Sequence, residues 1–195
     1  MKSLNNNILI LDIDETLIYG WDPKLDPIEA RPQKIDFETC GRFQIMKRPH
    51  VDSFLRWCFQ NDLFGVAVWS AAGKCHVEGV LENICLPHEL NTLEFVFYGN
   101  KCTSILQFPD DSGDDIRYLN IKDLKKVRRK GYDINRILVL DDQSRIWQRS
   151  YGNIICVKPF RGLNDDELLK VQPFIEQCFQ NPQGVRGIEK KVLAS

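Results

Sequence analysis

The chain alternates between unbroken apolar runs and segments whose apolar residues recur every third or fourth position. Ile8–Leu11 is four aliphatic residues in succession and leads directly into Asp12-Ile13-Asp14-Glu15-Thr16. Residues 64–69, 93–98, 137–140 and 153–157 are further short apolar runs. Such runs suit strands buried on both faces, as in a parallel sheet covered by helices. Between them, Val51, Phe54, Leu55 and Cys58 follow an i, i+3, i+4, i+7 pattern, and Val77, Val80, Leu81 and Ile84 form a second helical face. Pro49 suits the start of the first of these helices. Residues 122–130 read as a third helix, stopped by Gly131. Asn164 with Glu167 resembles a capping box opening a last helical region, which Pro173 is expected to divide. Strand and helix in alternation predict an α/β fold with a doubly wound, mainly parallel sheet.

Two segments interrupt that alternation. Residues 19–47 contain Pro23, Pro27 and Pro32 and are too short for a large cap domain, so strands such as 41–46 would form a flap over the strand end. Residues 99–120 read as a small β insert, two short strands around the acidic turn formed by Asp110, Asp111, Asp114 and Asp115. That turn lacks the alternating ligands and closing Glu of an EF-hand loop and reads as a solvated tip. Ile105, Leu106 and Phe108, beside Phe97 and Tyr98, would either form an apolar shelf for substrate or pack the insert onto the sheet.

The polar residues that end these runs are where the chemistry concentrates. Asp12 and Asp14 follow the first, Ser70 the second, and Asp141-Asp142 the fourth, with Lys122 ahead of the fourth. In a parallel sheet these ends share one edge, where open α/β sheets bind their ligands. Neighbouring carboxylates repel unless a cation lies between them. An oxygen-only set of Asp12, Asp14, Asp141 and Asp142 suits Mg²⁺ rather than zinc.

Asp12-x-Asp14-x-Thr16 after a hydrophobic strand resembles the first motif of the haloacid dehalogenase (HAD) superfamily of phosphatases. Ser70, Lys122 and Asp141-Asp142 resemble the second, third and fourth motifs, in the superfamily's order. Asp-Ile-Asp-Glu-Thr-Leu at 12–17, Lys-Arg-Pro-His at 47–50 and Lys-Asp-Leu at 122–124 are similar to the branch of carboxyl-terminal-domain (CTD) phosphatases and NLI-interacting-factor-like domains. Asp-Asp followed by Trp147 is similar to the larger CTD phosphatases, and the likeness runs over residues 8–179. The resemblance implies no large cap, with the β insert lying between the second and third motifs. It also implies a Mg²⁺-dependent phosphomonoesterase whose nucleophile is Asp12 and whose general acid/base is Asp14. Thr16 would shape the motif turn, while Ser70 and Lys122 would bind phosphate. Asp142 would be the direct metal ligand, leaving Asp141 to orient Lys122 or a bound water. An open site of this kind fits phosphoserine or phosphothreonine in a peptide or protein. Small-molecule phosphatases, 3′-phosphatases of nucleic acids and a silent binding module are the alternatives. Tyr19-Gly20-Trp21 and the acidic insert depart from the branch's pattern, which bears on the substrate rather than the reaction.

Composition narrows this a little. A chain of 195 residues with 43% apolar content fits one globular domain, with a core over about 8–179 and the insert over about 99–120. A net charge of −1 offers no field to draw nucleic acid or a membrane surface. No run has the length of a membrane span, and residues 1–7 lack the form of a signal peptide. A cytoplasmic protein is the expectation, with the nucleus open in a eukaryote. Seven cysteines, an odd number without a Cys-x-x-Cys pair, read as reduced thiols. The three histidines are scattered, with no metal-ligand spacing. Lys125, Lys126, Arg128, Arg129 and Lys130 form a basic cluster, read as a solvated helix face.

Overall fold

The computed structural model describes residues 7–107 and 117–190. Strand β1 (Ile8–Leu11) leads into a turn and then β2 (Ile18–Trp21), β3 (Phe37–Thr39) and β4 (Phe43–Lys47). Helix α1 (Val51–Gln60), β5 (Gly65–Trp69), α2 (Lys74–Ile84), the single turn α3 (Pro87–Leu90) and β6 (Val96–Phe97) follow. The insert is β7 (Thr103–Gln107) and β8 (Arg117–Ile121). The chain then runs through α4 (Lys125–Arg128), β9 (Ile137–Asp141), β10 (Ile154–Cys156) and α5 (Glu167–Gln180).

Five strands form the central sheet in the order β10-β9-β1-β5-β6, every pair parallel. The chain starts in the middle, builds one flank with β5 and β6, then crosses back to build the other with β9 and β10. The switch point is therefore β1, and ligands of such sheets bind beyond the strand ends there. Strand periodicity sorts the aliphatic runs onto two faces. Leu9, Leu11, Val66, Val68, Leu138 and Leu140 pack with residues of α1, α2 and α5. Ile8, Ile10, Ala67, Trp69, Ile137 and Val139 pack with Leu124, Val127 and Trp147. All four residues of β1 are completely buried, which is why the run carries no polar alternation.

The proline-rich segment forms a three-stranded antiparallel flap, β2-β4-β3, as its pattern predicts. The insert is the expected antiparallel pair β7·β8, while Phe108 and the acidic turn at 110–115 lie outside the described residues. Of the residues that would either form an apolar shelf or pack the insert onto the sheet, Phe97 belongs to the core. Its ring lies 4.4 Å from Phe95 and 5.1 Å from Trp69, centroid to centroid. Among the described residues of the insert, the cross-strand pair Leu106 and Tyr118 is exposed.

Other boundaries move for local reasons. Only Lys125–Arg128 is helical within 122–130, since the Asp123 side chain accepts from the Lys125 N–H at the helix start. The last helix begins at Glu167 behind Asp166, not at Asn164, and runs unbroken through Pro173. Pro173 lies on the exposed face, where water can satisfy the carbonyl it leaves free. Beyond it, Val185 is buried in the core, so the chain stays packed past residue 180. Among the described residues, no helix is long and apolar enough to cross a membrane.

Candidate active site

Asp12 leaves the end of β1 with its N–H still bonded to the Leu140 carbonyl of β9, 3.0 Å away. Its carboxylate is held on both oxygens: Lys122 Nζ donates to Oδ1 at 2.5 Å and Thr16 Oγ1 to Oδ2 at 3.0 Å. Lys122, completely buried where the chain leaves β8, also donates to Asp141 Oδ2 at 2.7 Å. Trp147 Nε1 donates to that same oxygen at 2.8 Å, and the Gln143 N–H to Asp141 Oδ1 at 2.8 Å. Asp141 thus has both oxygens engaged. Asp142 has its N–H bonded to Thr16 Oγ1 at 3.1 Å, and that hydroxyl lies a longer 3.4 Å from its Oδ1, so its carboxylate is the least engaged of the three.

Asp14 is placed differently. Its Oδ1 accepts from His76 Nε2 at 2.7 Å and its Oδ2 from Ser70 Oγ at 3.2 Å. Asp12 and Asp14, two residues apart, therefore engage different neighbours, Asp12 the Lys122 side and Asp14 the α2 side. The turn between them and β2 bends through Glu15, whose φ is 59°. Arg48 braces that turn from beneath. Its buried guanidinium donates to the Thr16 carbonyl at 2.9 Å, the Lys158 carbonyl at 2.8 Å and the Asp165 carboxylate at 3.1 Å. A planar fork of donors is what three differently placed acceptors require.

Three carboxylates, those of Asp12, Asp141 and Asp142, offer oxygens within 4.8 Å of one another. Asp14 lies outside that group, its carboxylate engaged by His76 and Ser70. One buried ammonium faces these three acids, and the balance shows in their protonation. Burial, and then the nearby Asp141 charge, push the Asp12 carboxyl well above the usual range. Burial, then Asp141 and Glu15, push Asp142 up to about 7. Burial works against the Lys122 ammonium, but Asp12 and Asp141 outweigh it and keep the lysine charged. A cluster with this surplus of negative charge and only oxygen donors fits a small divalent cation.

All seven residues singled out from the sequence lie at this one strand edge. His76, Arg48 and the Cys40–Cys75 disulfide were not foreseen as parts of it. The disulfide corrects the reading of all cysteines as free thiols, and it joins the flap to the start of α2. Cys58, Cys85, Cys102, Cys156 and Cys178 are free. The one sequence signal for His76 is its place in the first turns of the helix that follows Ser70, which puts it over the same edge. Beside Asp14 opens a cavity of about 740 Å³, lined among others by Phe43, Ala72, Arg42 and Lys74.

The sheet order, the flap and insert around it, and the motif residues at its β1 switch point define a HAD-like α/β phosphatase fold without a large cap. The chain belongs to the NLI interacting factor-like phosphatase family, whose model matches residues 7–186, and the protein is a phosphatase. A CTD phosphatase-like protein of Invertebrate iridescent virus 3 is 28% identical over 194 residues, covering 90% of this chain and 98% of its own. CTD nuclear envelope phosphatase 1B of Danio rerio is 28% identical over 202 residues, covering 99% of this chain and 75% of its own. Among solved structures, the fission yeast RNA polymerase II CTD phosphatase Fcp1 bound to beryllium fluoride superposes with a TM-score of 0.51 at 20% identity. That match covers 89% of this chain and 50% of the Fcp1 chain, and it bears on the fold.

Proposed function

We propose that the protein is a Mg²⁺-dependent phosphomonoesterase that hydrolyses phosphoserine or phosphothreonine in protein through a phosphorylated Asp12. The observation that carries this reading is Asp12 itself. It is a buried carboxylate fixed on both oxygens at the switch point of the sheet, with Lys122 at 2.5 Å and two further acids alongside. Fixed geometry of this kind is what an in-line nucleophile needs. Asp12, Asp142 and, behind them, Asp141 would hold the cation, which when bound offsets negative charge on the phosphoryl oxygens. Saturation of Asp141 by Lys122, Trp147 and Gln143 favours Asp142 as the direct ligand.

Each remaining side chain then has a task. The Asp12 carboxylate attacks phosphorus as the bond to the serine oxygen breaks, and Asp14 supplies the proton that oxygen takes up. Water then attacks the aspartyl phosphate, giving its proton to Asp14 and releasing inorganic phosphate and free Asp12. Lys122 and the Ser70 hydroxyl stabilise the charge on the transferred group throughout. The cavity beside Asp14 gives room for a residue flanking the phosphorylated one, with Phe43 as an apolar wall. A phosphoprotein substrate also accords with the names of the viral and zebrafish relatives.

A phosphoserine peptide incubated with Mg²⁺ tests this. The expected result is release of phosphate that stops in EDTA and in Asp12→Asn, and an acid-stable, hydroxylamine-labile phosphoryl adduct of plus 80 Da, on the order expected for one phosphoryl group, trapped on the wild type alone. Turnover by Asp12→Asn near the wild-type rate would remove the covalent reading.

A further inference from the structure

His76 is the buried polar residue of this edge that the reaction as written leaves without a task. It is 7% exposed, and its two ring nitrogens have different partners. Nε2 lies 2.7 Å from Asp14 Oδ1 and Nδ1 lies 3.0 Å from Thr39 Oγ1. A carboxylate only accepts, so Nε2–H is the donor to Asp14, which leaves Nδ1 facing the Thr39 hydroxyl. The Phe43 ring meets the imidazole edge-on at 4.7 Å between centroids.

Thr39 ends β3 in the flap, and His76 belongs to α2. The next residues on each side, Cys40 and Cys75, are joined by the disulfide. One helical turn on, Gly79 lets the flap come close: a Cβ there would meet the Thr39 side chain at 3.0 Å. A hydrogen bond, a covalent link and a bare glycine thus fasten the same flap residues to the same helix, and the fastening terminates on Asp14. With Oδ1 engaged by His76, the transferable proton of Asp14 is carried by Oδ2. That is the oxygen beside Ser70, on the side where phosphate would bind.

We propose that His76 is a positioning residue for Asp14, set from the flap by Thr39 and the Cys40–Cys75 link, so that leaving-group protonation depends on this clasp. The proposal rests on the reading of Asp14 as the general acid/base. Its signature is selective. A leaving oxygen that departs readily as an anion needs little help from Asp14, whereas a serine alkoxide needs the proton.

The test compares single-turnover rate constants for phosphoryl transfer to the enzyme from a phosphoserine peptide and from a nitrophenyl phosphate. His76→Leu should lower the first by at least about tenfold more than the second, with KM for the peptide unchanged. His76→Gln, which restores an N–H donor, should recover most of the loss. Thr39→Val keeps the shape, removes the hydroxyl at Nδ1 and should shift the ratio in the same direction by a smaller factor. Reduction by an excess dithiol carries two electrons and two protons to the disulfide, leaving two protein thiols and the dithiol as its own cyclic disulfide. It should move the wild type toward the Thr39→Val ratio.

Equal losses on both esters in His76→Leu, or no recovery in His76→Gln, would show His76 to be packing only and overturn the proposal. An unmoved ratio in fully reduced protein would overturn the part given to the cross-link. Asp14→Asn separates the two layers. If it retains the wild-type ratio of the two rates, the acid/base reading of Asp14 fails, whatever His76 does.

Discussion

At the scale of single residues, the site works by leaving few oxygen lone pairs idle. Lys122 is the clearest case, since one ammonium bridges Asp12 and Asp141 while sitting 5.5 Å above the Trp147 ring centroid. It is completely buried, so no other cation can take its place without repacking. Lys122→Met should lower kcat/KM by about 10²- to 10³-fold, the loss typical of removing one preorganised donor from a developing negative charge. Because the same change strips a counter-charge from two buried acids, Mg²⁺ should protect this variant from thermal unfolding more than it protects the wild type. Steady-state kinetics and a thermal melt with and without Mg²⁺ check both statements. A variant that loses affinity alone, with kcat intact, would make Lys122 a substrate anchor only.

At the scale of elements, two local features depart from what their sequence prefers. Glu15 takes a positive φ at the exit from β1, and the Arg48 fork beneath it is what holds that turn. Pro173 sits inside α5, where it removes one helical hydrogen bond, yet α5 continues because Leu168, Val171, Ile175 and Cys178 stay in the core on one face. Tertiary burial there outweighs propensity, as it does for most helices in globular proteins. Pro173 is exposed, so replacing it disturbs no packing. Pro173→Ala should raise the unfolding free energy by about 1–3 kcal/mol, read from the urea midpoint at constant m. A lower midpoint would mean that the ring, not the helix, stabilises this segment.

At the scale of the whole molecule, acid stability follows from carboxylates that gain partners on folding. The Arg42 hydrogen bond holds Asp22 below its ordinary 3.8. Burial opposes it, but the Lys34 ammonium and the Lys47 N–H do the same for Asp36, and the Lys125 N–H with Arg149 for Asp123. A folded value below the unfolded one contributes stability that is present above about pH 3.8 and lost as pH falls through the folded value. Asp12 and Asp142, which burial pushes the other way, add a slope of opposite sign as pH falls toward 3.8 and none once both states are protonated below it. The melting temperature should therefore drop steeply below about pH 4, and the double variant Asp36→Asn, Asp123→Asn should flatten that limb. An unchanged limb in the double variant would place the acid sensitivity in other groups.

The five aliphatic runs determine the sheet without help from context, because a strand covered on both faces has no polar position to spare. Their polar ends follow from the same rule, since parallel strands must bring all such ends to one edge. For that reason Asp12, Asp14, Ser70, Asp141 and Asp142 group from the sequence, and Lys122 with them by its place just ahead of the fourth run. The tertiary structure alone decided how those ends divide. Asp14 stands apart from the three clustered carboxylates, engaged instead by His76, 62 positions away in sequence. Arg48 reaches Lys158 across 110 positions, and Cys40 reaches Cys75 only because β3 lies against α2 over Gly79. Hydrophobic period reports which face of an element is buried. It carries no information about which polar atom on another element, brought near by packing, will satisfy a given donor or acceptor.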